Sequence, residues 1–411
     1  TPLILCSDKQ AIVNYDPSTP LVAMNILYKV GARNEDAGRT GFAHLFEHLM
    51  FGGSLNIPSY DEPLQRAGGE NNAFTNNDFT NYYLTIPSQN VETAFWLESD
   101  RMLSLAFSEK SLDVQRNVVI EEFKQRYLNQ PYGDVWLNLR PLAYKVHPYQ
   151  WATIGKDIKH IEDATLDDVK AFFHKWYCPN NAILTLSGNI KPEYAFKLSE
   201  KWFGEINAHD LSKESLPKEP KQNEYRNIIL ERDIPANSIY KAFHTCSRFD
   251  DEFYATELLT DILCGSKSSL LYHTLVKEQQ LFNSSNAYFA GDLDNGLMVV
   301  EGKVNDGVEV KNADHAVDVL LQQVADDGVQ EKEMKIVKQK TESALIFSEV
   351  NIGNRALNLA YFEMIGGAEK INKQLQQYEA VNSNDVQQVA KTILKKENES
   401  SIYYCKKGVT L

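Results

Sequence analysis

The stretch "GFAHLFEHLMFGGS" (residues 41–54) places two histidines and one glutamate inside an otherwise apolar run. His44, Glu47 and His48 follow the spacing i, i+3 and i+4, which puts all three on one face of a helix. One interpretation is a buried helix whose two histidines are hydrogen-bonded. However, burying an unpaired carboxylate is costly, and a bound metal ion with a polarised water removes that cost. The pattern therefore favours a metal site.

Zinc is the ion that suits this spacing. The imidazoles of His44 and His48 lie one turn apart and can converge on one ion, and Glu47 lies close enough to reach a water on that ion. The motif is HxxEH, the reverse of HExxH. Zinc binds imidazole nitrogen and carboxylate oxygen. The stretch therefore predicts a zinc-binding helix.

A third ligand is expected from another element, since a catalytic zinc site takes three protein ligands and leaves one position for water. The helical pattern over residues 111–128 offers Glu121 and Glu122. Glu122 shares a face with Val118 and Val119, which are expected to face the core, whereas Glu121 points to a different side. The periodicity favours Glu122 and leaves Glu121 open.

The bulk composition excludes several classes of protein. A chain of 411 residues, 43% of them hydrophobic, is too long for one compact domain and predicts sizeable cores. The net charge of −14 argues against nucleic acid as the main partner, because phosphate binding requires a basic surface. The five cysteines are scattered and contain no CxxC, so no disulfide framework is expected. No apolar run reaches membrane-spanning length.

Strand-like and helix-like segments alternate along the chain. Short runs rich in β-branched and aromatic residues predict strands at 20–31, 81–87 and 181–190. Apolar residues at helical spacing predict helices at 111–128 and 166–177, the second beginning after Thr165. The charged, proline-containing segment 209–227 is interpreted as a linker, which divides the chain into domains 1–208 and 228–411.

The two domains show signs of a duplication. The pattern "ATLDDVKAFFHKWYCPNNAILTLSG" (164–188) has an echo in "VNSNDVQQVAKTILKKENESSIYYC" (381–405), a helix and then a strand at the end of each half. Weaker similarities elsewhere follow in the same order, which favours an internal repeat. Two unrelated domains with similar element patterns are the alternative.

Three segments together resemble the pitrilysin family of zinc peptidases, which includes insulin-degrading enzyme, mitochondrial processing peptidase and compact bacterial relatives. They are "GARNEDAGRTGFAHLFEHLMFGGS" (31–54), "AGGENNAFTNNDFTNYY" (67–83) and "NVVIEEFKQR" (117–126). The resemblance spans nearly the whole chain. It implies an α+β fold of two homologous α/β-roll domains, each an antiparallel-rich sheet packed with helices, as in the LuxS and processing-peptidase metalloenzymes.

The resemblance also implies the roles of the site residues. His44, His48 and Glu122 match the family's zinc ligands, with one Zn²⁺ per chain, and Glu47 matches the general base. Glu47 would take the proton of a zinc-activated water and pass it to the leaving amine of a peptide. The implied activity is hydrolysis of unfolded peptides by a zinc metalloendopeptidase.

The segment 72–75 matches the family's substrate-binding edge strand. An exposed strand edge can add a peptide strand through main-chain hydrogen bonds. Asn72, Ala73 and Phe74 are the candidate substrate-binding residues. From the residues alone, a plain hairpin with an asparagine-rich turn remains the alternative.

One departure from the family lies beside the metal site. Family members often carry a glutamate seven positions before the metal-binding Glu122, where this chain has Gln115. Glutamine can orient a ligand by a hydrogen bond but supplies no charge. We therefore expect zinc to be held more weakly or tuned differently.

The other departure lies in the second half. Active relatives often carry an arginine and a tyrosine, seven residues apart, that hold the substrate backbone near the zinc; Val276 and Asn283 stand at these positions here. Neither can replace its counterpart. A homologous non-catalytic subunit that supplies the pair is therefore the expected partner, in preference to a homodimer. Together the subunits would enclose a chamber that admits unfolded peptides.

The second half also lacks the zinc motif. Aligning residues 264–266 with 52–54 places Thr256, Leu259 and Thr260 at the HxxEH positions, and Ala344 falls near the position of Glu122. None of these side chains offers an imidazole or a carboxylate.

Two rival functions remain beside the peptidase. A non-catalytic core or processing subunit would keep the fold, but such subunits typically have a degraded motif. A zinc-stabilised binding module would usually show a closed four-ligand site with cysteine. The compartment is open between the bacterial cytoplasm, which is favoured, and the periplasm.

Overall fold

The computed structural model describes residues 3–5, 9–211 and 215–408. The strands are β1 (Leu3–Leu5), β2 (Lys9–Tyr15), β3 (Leu21–Tyr28), β4 (Glu70–Thr75), β5 (Thr80–Pro87), β6 (Ala182–Gly188), β7 (Arg226–Arg232), β8 (Ser238–His244), β9 (Phe282–Ala290), β10 (Leu297–Val304) and β11 (Glu399–Lys406). The helices are α1 (Phe42–Leu49), α2 (Asp61–Arg66), α3 (Val91–Leu103), α4 (Glu109–Phe123), α5 (Val135–Ala143), α6 (Lys159–Glu162), α7 (Leu166–Trp176), α8 (Pro192–Phe203), α9 (Phe253–Cys264), α10 (Val310–Asp327), α11 (Glu331–Ser348), α12 (Ile352–Met364), α13 (Gln374–Ala380) and α14 (Ser383–Ile393). In this described part of the chain, no helix has the length and apolar character needed to cross a membrane.

Residue contacts divide the chain into two compact units. Unit 1 comprises residues 1–124, 151–216 and 346–373, and unit 2 comprises residues 125–150, 217–345 and 374–411. Two segments therefore pack apart from their neighbours in sequence. Helix α5 buries Val135 and Leu139 in an aromatic cluster of unit 2, and α12 packs on β3 and β6 of unit 1.

The compact units differ from the sequence-based domains 1–208 and 228–411. Those boundaries describe a repeat along the chain, whereas the units describe tertiary contacts. Local sequence patterns do not show where a helix packs. The assignment of residues 125–150 to unit 2 and of residues 346–373 to unit 1 was therefore not predicted. The domain boundaries stay a prediction about the repeat. The linker 209–227 is irregular where it is described, up to the start of β7 at Arg226.

Unit 1 contains a six-stranded sheet in the order β1-β2-β6-β3-β5-β4. The β2–β6 pair is parallel and the other pairs are antiparallel. The predicted strands at 20–31, 81–87 and 181–190 are β3, β5 and β6. Strand β4 forms the far edge of this sheet.

Unit 2 contains a five-stranded sheet in the order β7-β11-β8-β10-β9. Its β7–β11 pair is parallel and its other pairs are antiparallel. If β7 to β11 are matched in chain order to β2 to β6, the two sheets have the same strand order and the same parallel and antiparallel pairs. Strand β1 of unit 1 is the additional strand. The predicted fold of two homologous antiparallel-rich sheets packed with helices is confirmed.

The two predicted helices are present with small shifts in their ends. Helix α7 begins after Thr165, whose hydroxyl accepts the N–H of Asp168 while the Asp168 carboxylate accepts the N–H of Thr165. Helix α4 begins after the cap Ser108 and continues beyond Phe123 as a π-helical turn over Lys124–Leu128.

Candidate metal centre

Helix α1 carries the HxxEH motif and is fixed at its beginning by a side chain from the preceding loop. Its N-cap is Gly41, in the left-handed conformation with φ 90°. A side chain there would meet the carbonyl of Ile154 at 2.6 Å, so only glycine fits. Glycine has no side chain to cap the helix. The buried Glu35 carboxyl group does so instead, accepting the N–H groups of Gly41 at 2.9 Å and Ala43 at 2.8 Å.

The apolar residues of α1 determine which way its polar residues point. Five positions are buried: Phe42, Ala43, Leu45, Phe46 and Leu49. The Phe46 ring stacks on Phe172 and Tyr177, with ring centroids 4.9 and 5.2 Å apart. The three partly exposed positions of the helix are the motif residues His44, Glu47 and His48. Burial of the apolar face thus presents these three side chains together.

Helix α4 brings Glu122 against this face. Glu122 Oε2 lies 3.6 Å from His44 Nε2 and 3.3 Å from His48 Nε2. One ligand atom from each of the three residues lies within 4.8 Å of the others. Tetrahedral zinc with bonds of about 2.0–2.1 Å requires ligand atoms roughly 3.4 Å apart. Two imidazoles and one carboxylate at these separations fit a zinc ion.

The adjacent Glu121, left open as a ligand by periodicity, points elsewhere. It is exposed and forms an ion pair with Lys124 at 2.7 Å. Val119 is fully buried, as expected, whereas Val118 is 44% exposed, so its predicted place in the core is wrong. The buried stripe of α4 runs through Leu112, Val119, Ile120 and Phe123, and Glu122 lies at its margin.

The Glu47 carboxylate is held by the neighbouring strand. The hydroxyl of Thr75, the last residue of β4, donates a hydrogen bond to Glu47 Oε2 at 2.7 Å. Thr75 is not among the site residues predicted from the sequence. The available signal was strand alternation, which puts Ala73 and Thr75 on one face and Asn72 and Phe74 on the other.

The predicted substrate-binding residues all lie on the edge strand β4. Its inner side pairs with β5 in antiparallel register, Ala73 opposite Tyr82. Asn72 is exposed, and its side-chain oxygen accepts the N–H of Ala73 at 2.8 Å. Phe74 packs edge-on against Phe79. The strand is also half of a hairpin whose turn is closed by the Asn76 side chain, as the alternative interpretation describes. Its role in binding substrate stays a prediction.

Gln115 lies two helical turns before Glu122 on α4 and is half-buried. Its amide nitrogen is 3.9 Å from the point that a Cβ on Gly52 would occupy. It therefore borders the glycine turn that follows α1.

The matching positions of unit 2 are filled for packing. Thr256, Leu259 and Thr260 are buried in α9, and both threonine hydroxyls donate to carbonyls one turn earlier in the helix. Among the described residues, one group of three or more histidine, cysteine, aspartate or glutamate side chains is placed to hold an ion. It consists of His44, His48 and Glu122. Val276 packs against the core of unit 2, and Asn283 is exposed on β9.

Comparison with known proteins adds to this geometry. Residues 10–154 match the family model described as insulinase (peptidase family M16). Residues 163–341 match the model described as the peptidase M16 inactive domain. Together the two matches cover most of the chain.

Individual relatives agree over nearly the full length. The chain is 26% identical over 398 residues to the zinc protease PqqE of Helicobacter pylori, covering 95% of this chain and 89% of that protein. A crystal structure of a protease from Helicobacter pylori superposes with a TM-score of 0.92 at 25% identity, covering 98% and 99% of the two chains. The periplasmic protease PqqL of Escherichia coli gives a TM-score of 0.81 at 17% identity; the match covers 98% of this chain but 47% of PqqL.

Proposed function

The chain belongs to peptidase family M16, and on this basis we propose that it is a zinc-dependent metallopeptidase that hydrolyses unfolded peptides. The observation that carries the proposal is the convergence of His44, His48 and Glu122. The carboxylate oxygen Oε2 of Glu122 lies 3.6 Å from Nε2 of His44 and 3.3 Å from Nε2 of His48. These two separations are close to the roughly 3.4 Å expected between ligand atoms of a tetrahedral zinc ion. Relatives named zinc proteases support the same metal.

His44, His48 and Glu122 would hold the zinc ion. When bound, zinc would polarise the carbonyl group of the peptide and lower the pKa of a water molecule, so that a hydroxide nucleophile is available near neutral pH. Two imidazoles and a carboxylate are three protein ligands, the number found in catalytic rather than structural sites. The absence of cysteine from the cluster argues against the binding-module alternative.

Glu47 would move the proton. It lies on the same helix face as the two histidines, and the Thr75 hydroxyl donates to its carboxylate, which suits the ionised form. As a general base it takes a proton from the attacking water, and as an acid it returns that proton to the leaving amine. Both transfers need one carboxylate held in one place.

The edge of β4 would bind the peptide. Its outer side lacks a neighbouring strand in the sheet described here, so a peptide can pair with its main chain. Main-chain pairing fixes the direction of the peptide and reads little of its sequence. Asn72, Ala73 and Phe74 are the residues that would line this contact.

The proposed enzyme is the catalytic subunit of a heterodimer. Val276 and Asn283 provide neither the guanidinium nor the phenol that the family uses to hold substrate, so we assign that pair to a homologous partner. PqqL has about twice the length of this chain, as expected if one longer chain combines two such subunits.

The proposal is tested by metal removal. Quenched-fluorescent unstructured peptides are incubated with the full chain and its homologous partner, with a chelator, and after zinc is restored. We expect cleavage to stop with the chelator and return with one zinc per chain. A zinc-loaded chain that cleaves no peptide with any partner would instead support a non-catalytic zinc-binding subunit.

A further inference from the structure

The hydrogen bond between Thr75 and Glu47 joins two parts of the molecule with different proposed tasks. Thr75 is the final residue of the edge strand β4, and Glu47 is the carboxylate of the HxxEH helix. The donor and acceptor atoms, Thr75 Oγ1 and Glu47 Oε2, are 2.7 Å apart. Hydrogen bonds to an ionised carboxylate are stronger than those between neutral groups.

The alternation of side chains along β4 links this contact to the position of the whole strand. Successive side chains of a strand point to opposite faces. Thr75 therefore shares its face with Ala73, and this face meets α1. The opposite face carries Phe74, which packs against a separate apolar cluster of unit 1. A shift of the strand edge would carry the Thr75 hydroxyl with it.

Buried groups behind Thr75 fix its hydroxyl in turn. Thr80 lies directly opposite Thr75 in the β4–β5 pair. Thr80 is fully buried, and its hydroxyl oxygen is 3.4 Å from Thr75 Oγ1. The Thr80 hydroxyl donates to the carbonyl of Val30 at 2.9 Å. Thr80 Oγ1 is also an acceptor within reach of the Thr75 hydroxyl, but the Glu47 carboxylate is the nearer acceptor, at 2.7 Å against 3.4 Å.

We propose that Thr75 is a positioning residue that orients the Glu47 carboxylate and couples it to the peptide-binding edge. This inference deepens the proposed function and rests on it. A peptide paired with β4 would steady the same strand that holds the base, so correct binding and correct base placement occur together. A base must lie within hydrogen-bond reach of the proton that it abstracts.

Three substitutions test this role in the zinc-loaded enzyme with its partner. Thr75→Val keeps the shape and strand preference but removes the hydroxyl, and Thr75→Ser restores it. Thr85→Val makes the same change on β5, at a half-exposed threonine outside the metal site. We expect Thr75→Val to lower kcat at least about tenfold with KM within about twofold, and Thr75→Ser and Thr85→Val to stay near wild type. Zinc content should be equal in all four proteins.

A second readout does not depend on activity. In metal-free protein, the effects of Thr75→Val and Glu47→Ala on the unfolding midpoint should be non-additive, whereas those of Thr85→Val and Glu47→Ala should add. If Thr75→Val does not fold, Thr75→Ala takes its place in both experiments. Wild-type kcat in an active Thr75→Val enzyme, or strict additivity, would overturn the inference and leave the proposed function intact. An inactive wild type with non-additive stability would instead reject the proposed function and keep the contact.

Discussion

Two adjacent glutamates of α4 point in different directions, and this determines which of them can bind a metal ion. Glu122 faces the two imidazoles of α1, whereas Glu121 is exposed beside Lys124. Both have the same chemistry and nearly the same place in the chain. The difference lies in which residues of α4 are buried, and this decides which carboxylate can serve as a ligand.

This difference gives the first prediction. Glu122→Gln replaces a proposed zinc ligand by a neutral amide, so we expect zinc affinity to fall by at least about tenfold, consistent with loss of a charged ligand. Glu121→Gln is the matched control and should keep wild-type affinity. Competition with a chromophoric chelator measures both. Equal affinities in the two variants would remove Glu122 from the site.

Individual site residues could be predicted from the sequence where their spacing alone determines their geometry. His44, Glu47 and His48 lie on one helix face by their i, i+3, i+4 spacing, and the structure keeps them there. The choice of Glu122 needed the resemblance, because periodicity left Glu121 open. Thr75 was not predicted, because strand alternation shows which face of β4 it occupies but not that Glu47, 28 positions away, lies against that face.

Helix α1 depends on a loop residue for its beginning. Glu35 is buried, and burial raises its pKa from 4.5 to about 8, although its hydrogen bonds from the N–H groups of Ala43 and Gly41 act in the opposite direction. Because the pKa is raised on folding, the folded state holds this proton more tightly than the unfolded state. The resulting stabilisation is complete below pH 4.5 and is lost as the pH rises through about 8.

The second prediction follows from this sign. Glu35→Gln stays neutral at every pH, so its free energy of unfolding relative to wild type should rise by a few kcal/mol between pH 5 and 8, at about 1.4 kcal/mol per pKa unit. Urea unfolding of both metal-free proteins across this range measures the difference, and titrations common to both cancel. A difference that does not change with pH would contradict the raised pKa.

Element types followed from sequence better than their assembly did. The strands β3, β5 and β6 and the helices α4 and α7 lie where periodicity predicted them. The packing of α5 in unit 2 and of α12 on the sheet of unit 1 was not predicted. Amphipathic patterns show that a helix has an apolar face but not which sheet covers it.

The duplication is clearest at the scale of the whole chain. Both sheets have the same strand order and the same single parallel pair among the repeated strands, yet among the described residues just one copy carries a cluster of side chains placed to hold an ion. In the other, Thr256 and Thr260 hydrogen-bond within their own helix. The second copy therefore keeps the sheet topology without the candidate metal cluster.

The third prediction concerns the missing substrate clamp. With Val276 and Asn283 at the clamp positions, the zinc-loaded chain alone should cleave peptides at least about tenfold more slowly than with a homologous subunit that carries the arginine and tyrosine. A partner with both residues replaced by alanine is the control and should restore little activity. Full activity of the chain alone, unchanged by the partner, would reject the heterodimer.

The measurement that tests the central claim most directly is turnover and zinc content of the Glu47→Gln variant, measured with the partner present. Glu121→Gln is the matched control, because it makes the same change at an exposed carboxylate of α4. We predict that Glu47→Gln keeps one zinc per chain and loses peptide hydrolysis by about 100-fold or more, while Glu121→Gln keeps both. Wild-type turnover in Glu47→Gln would contradict the account.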